Sequence, residues 1–401
     1  MKDKNRPLKI AILDHNPEIG GAEVSILTLC KHIDRSRFNP AVVLPSRGSF
    51  SRRLEELNIH SEEIRLPIEL IRLKRGDIFR SVSWILAYLF YIQFFLVRLC
   101  IYLKKNKFDL VVTNTVKAHL YGSMAAYLCR IALVWRFHDV LSPDDFSPAL
   151  IRVVAFFGRC FPKKILAVSK TTKEYLVKSG LKQDKIDVIM NGIDSELFEM
   201  RGVSEDIRKE LRIEGKTRLV GCIGRIMEQK GQKSFLLAIP RVIPKWPETL
   251  FLIVGDVFSG REGYKKELLE IIDKNGLRDY VRFIGFKENI GDVIKSLDVL
   301  VFPSVAPESF GLSVLEAMSF GKPVIASNTG GVSEIIQDGV TGLLFEPGHP
   351  EQIAERIILL LDQRESYDAI GKGAKEAVTE RFSLEKYVTT MEQALMEVAD
   401  G

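Results

Sequence analysis

The chain has 401 residues, 46% hydrophobic and 27% charged, with a formal net charge of +5. That composition excludes a disordered or low-complexity chain and gives length enough for two or three domains. Five cysteines, Cys30, Cys100, Cys129, Cys160 and Cys222, are scattered without a C-x-x-C pair or a His/Cys cluster, which argues against a disulfide framework or a zinc site and fits a reducing compartment.

The charge is uneven. Residues 1–200 hold 31 Lys and Arg against 21 Asp and Glu, a net +10, and the remainder holds 26 against 31, a net −5. A basic amino half beside an acidic carboxyl half predicts an anionic partner for one domain. No helix-turn-helix, RNP or aromatic-interleaved basic run occurs, so nucleic acid is not expected and anionic phospholipid is the better candidate. Met1 to Pro7 runs straight into an apolar strand with no h-region, which reads as the absence of a signal peptide.

In chain order, 8–13 is a strand, 15–21 a loop and 22–33 a helix with Val24, Leu27 and Cys30 at helical spacing. Gly20-Gly21 at this first strand-to-helix turn permits close approach by a phosphate. The loop is not G-x-G-x-x-G, and a plain tight turn is the competing reading. Strands follow at 40–45 and 59–65, with a helix over 50–57 between them. A strand at 108–114, a helix at 117–130 and a strand at 132–137 lead to His138-Asp139. His138 sits at the carboxyl end of a strand, where such folds bind ligands, although a solvated or capping histidine fits equally. After a strand at 163–169, Thr171-Thr172-Lys173-Glu174 fits a capping box for a helix ending at Gly180.

The stretch 82–103 departs from this alternation. Gln93 is the one strongly polar residue in 84–97; Arg72, Lys74, Arg75 and Arg80 precede the stretch, and Arg98, Lys104, Lys105 and Lys107 interrupt or follow it. A transmembrane helix needs about 20 apolar residues; Arg98 breaks the run, and a span would put strands of one sheet on opposite sides of a membrane. A buried core helix and an aromatic-rich helix in the interface of an anionic leaflet remain, and the flanking cations favour the interface.

The second half restarts the pattern. A strand at 219–224 precedes a loop in which Arg225 can fork onto phosphate oxygens and Lys230 supplies a point charge. Strands follow at 250–255 and 281–285, and helices at 351–361, 365–381 and 384–398. Between them, 298–302 is a short buried strand ended by Pro303 and Pro307. Gly311 opens a helix with Leu312, Leu315, Ala317 and Met318 apolar, Gly321 closes it, and 322–326 is the next strand. Glu308 falls in the loop beyond the first strand's carboxyl end and Glu316 about one and a half turns into the helix. The N–H groups around Phe310-Gly311-Leu312 lack intrahelical partners and form an anion site reinforced by the helix dipole. Phosphate would take the N–H groups and the carboxylates would take hydroxyls, as a sugar nucleotide requires. On spacing alone, a solvated Glu308 and a surface Glu316 fit as well. Strands alternating with helices throughout mean doubly wound parallel sheets.

Glu308 and Glu316 flanking Phe-Gly-Leu resemble the E-x7-E signature of the retaining GT-B enzymes of glycosyltransferase family 4. Gly321-Lys322-Pro323-Val324-Ile325-Ala326, Gly330-Gly331, Glu334 and Asp338-Gly339-Val340-Thr341-Gly342 continue the resemblance. So do Gly20-Gly21-Ala22-Glu23, His138-Asp139 and Asn191-Gly192-Ile193-Asp194 in the amino half, and together they cover nearly the whole chain. The resemblance implies an α/β GT-B fold, two Rossmann-like doubly wound domains facing a central cleft. It sets a first domain at 1–198 carrying the hydrophobic helix, a second at 199–382, and a last helix, 383–401, crossing back to the first.

It further implies retaining transfer of a sugar from a nucleotide-diphosphate donor to a saccharide or lipid-linked acceptor. Glu308 would hold the donor sugar and His138 would line its pocket as the catalytic residues. Gly21, Arg225, Lys230, Ile284, Phe310, Gly311, Leu312 and Glu316 would bind the donor, Ile284 near the base and Glu316 at the ribose. No Asp-x-Asp occurs, in keeping with a metal-independent enzyme without a cofactor. A cytoplasmic protein peripheral to the inner face of the plasma membrane is expected. A GT-B epimerase or hydrolase, or a non-catalytic sugar-nucleotide-binding scaffold, are the alternative readings.

Overall fold

Two parallel sheets organise the chain in this computed structural model, which describes residues 6–65, 82–194, 207–213, 215, 217–257, 262–287 and 289–400, and of 82–90 and 364 the backbone alone. There are two compact units, Met1–Met190 with Tyr387–Gly401, and Asn191–Lys386. The expected boundary at 198, and the cations at 72, 74, 75 and 80, lie outside the described residues.

The first unit holds β1 (Leu8–Leu13), β2 (Phe38–Leu44), β3 (Ser61–Glu63), β4 (Leu110–Thr113), β5 (Ala132–Phe137), β6 (Lys164–Ala167) and β7 (Ile186–Val188). They pair in parallel in the order β3-β2-β1-β4-β5-β6-β7. The strands are nearly continuous apolar runs because helices cover both faces. From β1 the chain winds outward through β2 and β3, then returns to β4 and winds the other way, so right-handed crossovers put helices on opposite faces. The order reverses between β1 and β4, which opens a crevice at their carboxyl ends.

The helix expected at 82–103 runs from Val82 to Lys105 and is neither wholly core nor wholly exposed. Phe95, Leu96, Leu99 and Leu103 are buried against the sheet, while Tyr91, Phe94, Val97 and Ile101 are exposed. Among the described residues no helix is long and apolar enough to cross a membrane.

Two local expectations are corrected. The helix Lys170–Lys178 is capped by Ser169, whose hydroxyl accepts from Thr172 N at 3.0 Å, and not by a box at Thr171. The hydroxyl earlier in the chain wins because Ser169 has extended backbone while Thr171 is already helical. A helix at Pro148–Cys160 stands where none was expected; Ser147 accepts from Leu150 N and Pro148 occupies the first turn, where its missing N–H costs nothing.

The last helix, Leu384–Asp400, belongs to the first unit from Tyr387 onward. Its Tyr387 hydroxyl and the Ser25 hydroxyl both accept from the buried Arg136 guanidinium, Glu392 accepts from Asp34 N at 2.8 Å, and Glu397 pairs with Lys164 at 2.9 Å.

The second unit holds β8 (Arg218–Ile223), β9 (Thr249–Val254), β10 (Val281–Gly285), β11 (Val299–Phe302), β12 (Val324–Ser327) and β13 (Leu343–Phe345), paired in parallel in the order β10-β9-β8-β11-β12-β13. Its core lies between the sheet and helices such as Gln232–Val242 and Pro350–Asp362. Here the order reverses between β8 and β11.

Candidate active site

The loops after β8 and β11 flank the reversal point of the second sheet, and they carry Arg225, Lys230 and Glu308. Glycines let these loops approach. Gly231 has φ +69° and ends the turn Glu228–Lys230; a Cβ there would lie 1.8 Å from Pro303 O. Val305 N donates to Gln229 O at 2.9 Å and ties the two loops together. Lys230 Nζ consequently reaches Glu308 Oε1 at 2.7 Å and lies 5.3 Å from the centre of the Phe302 ring. Ser304, buried at the end of β11, donates its hydroxyl to the same Glu308 oxygen. Sequence reasoning missed Ser304; its only signal was a hydroxyl two residues past the end of a strand.

The backbone of Glu308 is held from the other side. Gly331 N donates to Glu308 O at 2.7 Å. A Cβ on Gly330, at φ +61°, would lie 2.2 Å from Glu308 O and 2.4 Å from its N. The Gly330-Gly331 pair is thus what allows the loop to pass under Glu308. Phe310 is buried edge-on to Phe382 at 6.1 Å. Gly311, at φ +97°, starts the helix Leu312–Ser319 and, having no side chain, gives its first N–H groups no cap of its own. Glu316 is only 6% exposed and is therefore not an ordinary surface residue. Arg225 is exposed beside this crevice, its carbonyl held by Gln232 Nε2 at 2.8 Å. Ile284 lies on β10 at the edge of the same sheet, ahead of an exposed Phe286. Two cations, two carboxylates and uncapped N–H groups in one unit can neutralise an anion and hold hydroxyls.

Gly21 and His138 lie in the first unit. Gly21 begins the helix Gly21–His32; the Glu23 carboxylate turns back to accept from Gly20 N at 2.8 Å and from Asn16 Nδ2 at 3.2 Å. At the neighbouring end of β4, His15 Nδ1 meets Thr115 Oγ1 at 2.7 Å and His119 Nδ1 meets Thr113 Oγ1 at 2.7 Å. His138 follows β5, and its Nε2 is buried without a protein partner. Burial first, then Arg136 and His119, hold its pKa well below the usual imidazole value; burial and Lys117 push His15 down to about 3. These imidazoles are neutral at physiological pH. His15 and His119 were not singled out in the sequence.

Two parallel-sheet units of Rossmann type form the GT-B architecture. The family profile for "Glycosyltransferase Family 4" matches residues 19–197 and that for "Glycosyl transferases group 1" matches residues 203–377. N-acetyl-alpha-D-glucosaminyl L-malate synthase of Bacillus anthracis is 30% identical, over 67% of this chain and 68% of that protein. An Escherichia coli UDP-Gal:alpha-D-GlcNAc-diphosphoundecaprenol alpha-1,3-galactosyltransferase is 25% identical over 74% and 77%. The crystal structure of Anabaena HepE in complex with UDP and glucose superimposes with a TM-score of 0.84 at 27% identity, covering 97% of this chain and all of that one. The chain belongs to glycosyltransferase family 4.

Proposed function

We propose that the chain transfers a sugar, with retention, from a nucleoside-diphosphate sugar to a lipid-linked saccharide. The observation that carries this reading is the Lys230–Glu308 pair at the mouth of the uncapped helix Leu312–Ser319. Donor diphosphate would enter between Arg225, Lys230 and the helix N–H groups, and would draw Lys230 from Glu308. The freed carboxylate would then take the sugar's hydroxyls near the reacting carbon, and Glu316 the ribose. As the sugar–phosphate bond breaks, charge grows on the leaving diphosphate, and cations and helix dipole fixed beside it stabilise that charge without a metal ion. Neutral His138, in the first unit, would serve as a hydrogen-bond partner through its buried Nε2.

Uridine donors are the first to test, because HepE is solved with UDP and with UDP-glucose. The acceptor proposal is supported by the basic first 200 residues and by the diphosphoundecaprenol-linked substrate named for the Escherichia coli relative. The protein would work at the cytoplasmic face of the membrane that carries this acceptor. A panel of nucleotide sugars, read by nucleoside diphosphate release with and without an undecaprenyl-diphosphate saccharide, tests the reading. Acceptor-dependent release and an α-linked product from an α-linked donor are expected; release that ignores every acceptor would point to a hydrolase instead.

A further inference from the structure

The apolar surface of the helix Val82–Lys105 does not end with that helix. It packs against the helix Val116–Cys129, which in turn packs against Pro148–Cys160. All three lie on one face of the first sheet, and their inner sides fill one core with it. Their outer sides are apolar as well. Beyond the four residues exposed on the first helix, Met124, Tyr127 and Leu128 are exposed on the second, and Val153 and Phe156 on the third, Tyr127 by 72% and Phe156 by 60%. Nine of the fourteen large hydrophobic side chains exposed among the described residues stand on these three neighbouring helices. A contiguous apolar surface of that kind marks an interaction site rather than scattered surface residues.

The charges on the same helices narrow the partner. Their sequences contain Arg98, Lys104, Lys105, Lys117, Arg152 and Arg159 and not one Asp or Glu, in a chain with 52 acidic residues. Arg98 lies over the exposed Phe94 ring at 5.9 Å, its charge beside the apolar surface. Lys104 and Lys105 end the first helix, and Arg130, also exposed, follows the second. A second copy of this chain would bring cation against cation. A bilayer with anionic headgroups satisfies both features, since rings and aliphatic side chains enter the boundary region while Lys and Arg meet the headgroups.

We infer that the outer face of these three helices is a docking surface for an anionic bilayer, with Tyr127, Leu128 and Phe156 inserting alongside the first helix. This deepens the lipid-linked acceptor reading but does not depend on it, because docking requires neither donor nor acceptor.

The test is co-sedimentation of the full chain with phosphatidylglycerol–phosphatidylcholine vesicles at low and high salt. The wild type should bind, lose most binding to pure phosphatidylcholine, and be partly released by salt, since only the electrostatic part is screened. The triple variant Tyr127→Ser, Leu128→Ser, Phe156→Ser alters exposed side chains and should keep its fold while its vesicle affinity falls about tenfold or more. Leu269→Ser, an exposed leucine of the second unit, should change nothing. If the triple variant misfolds, the reversal Arg98→Glu, Lys105→Glu, Arg152→Glu serves instead, and should abolish the salt-sensitive binding. Wild type that ignores anionic vesicles, or either set of variants binding like wild type, overturns the inference. So does a wild-type dimer that the triple substitution converts to monomer without changing vesicle binding, which would assign the face to a second copy. Donor turnover in solution is measured in parallel, so loss of docking with turnover intact separates this inference from the proposed activity.

Discussion

Lys230 Nζ lies 2.7 Å from Glu308 Oε1 across the reversal point of the second sheet, joining the loop after β8 to the loop after β11. Each group holds the other in place, and Ser304 holds the carboxylate from the strand end. Glu308→Ala should lower kcat by about 10²–10³ while nucleoside diphosphate affinity is kept or rises, since it removes a contact made to the sugar in the transition state and frees Lys230 for the phosphates. Steady-state kinetics beside calorimetric nucleotide binding decide it; near wild-type turnover would end the assignment.

Lys230→Ala and Arg225→Ala should each weaken nucleoside diphosphate binding by about 10- to 100-fold, the range for losing one charge-assisted hydrogen bond. Binding of the bare nucleoside should stay within about twofold, because the lost partner is phosphate. Calorimetry with both ligands checks this, and equal losses would put both residues outside the phosphate site.

Gly330→Ala meets two penalties. A Cβ would overlap the Glu308 backbone at 2.2 Å, and the residue sits at φ +61°, a region that costs an L-residue about 1–2 kcal/mol. With the overlap, a loss of more than about 2 kcal/mol in stability is expected, together with lost turnover because Glu308 must move. Denaturant midpoints and kcat of the variant test it, and an unchanged pair of values would show the loop to be free of this constraint.

Tyr387→Phe removes a hydroxyl that accepts from the buried Arg136, while leaving the ring 5.4 Å from the guanidinium. A buried charged donor short of one partner costs about 1–3 kcal/mol. Thermal unfolding of the variant should show a drop of that size, and Tyr387→Leu, which also removes the ring, a larger one. Equal stability of wild type and Tyr387→Phe would mean that the hydroxyl does not hold the last helix.

Acid should destabilise the first unit through its histidines. Burial, with lesser repulsion from Lys117, Arg136 or a neighbouring imidazole, lowers the pKa of His15 to about 3 and those of His119 and His138 well below the usual value. The folded state keeps them neutral and the unfolded state protonates them below its ordinary value. Their contribution is therefore intact above about pH 6.5 and is lost as pH falls toward the folded values, by up to about 1.4 kcal/mol per histidine per pH unit. Buried Asp14, its carboxyl held well above the usual range by burial and then by Glu23, takes up a proton in the folded state as pH falls and opposes this loss, so the urea midpoint of the wild type should fall more between pH 7 and pH 5.5 than that of His119→Gln. The same pH dependence in wild type and His119→Gln would show that the wholly buried His119 ring is not held neutral in the fold.

The sequence by itself determined the parallel strands, the two-unit alternation and the family. Strands such as Val299–Phe302 are apolar runs buried on both faces, and the glycines around Glu308 mark where backbone must approach backbone. Pro148–Cys160 was missed although Ser147-Pro148 is a local helix start that could have signalled it. Tertiary structure alone decided the rest. Lys230 and Glu308 are 78 residues apart, and nothing short of the β8–β11 pairing brings them together. Glu316 reads as a surface residue until packing buries it. The helix Val82–Lys105 has apolar residues all round, so its periodicity could not choose between core and interface; packing against Val116–Cys129 buries one side and leaves the other exposed. Exposure on Val116–Cys129 itself was equally illegible, because burial is set by which neighbours cover a helix, and those neighbours come from distant parts of the chain.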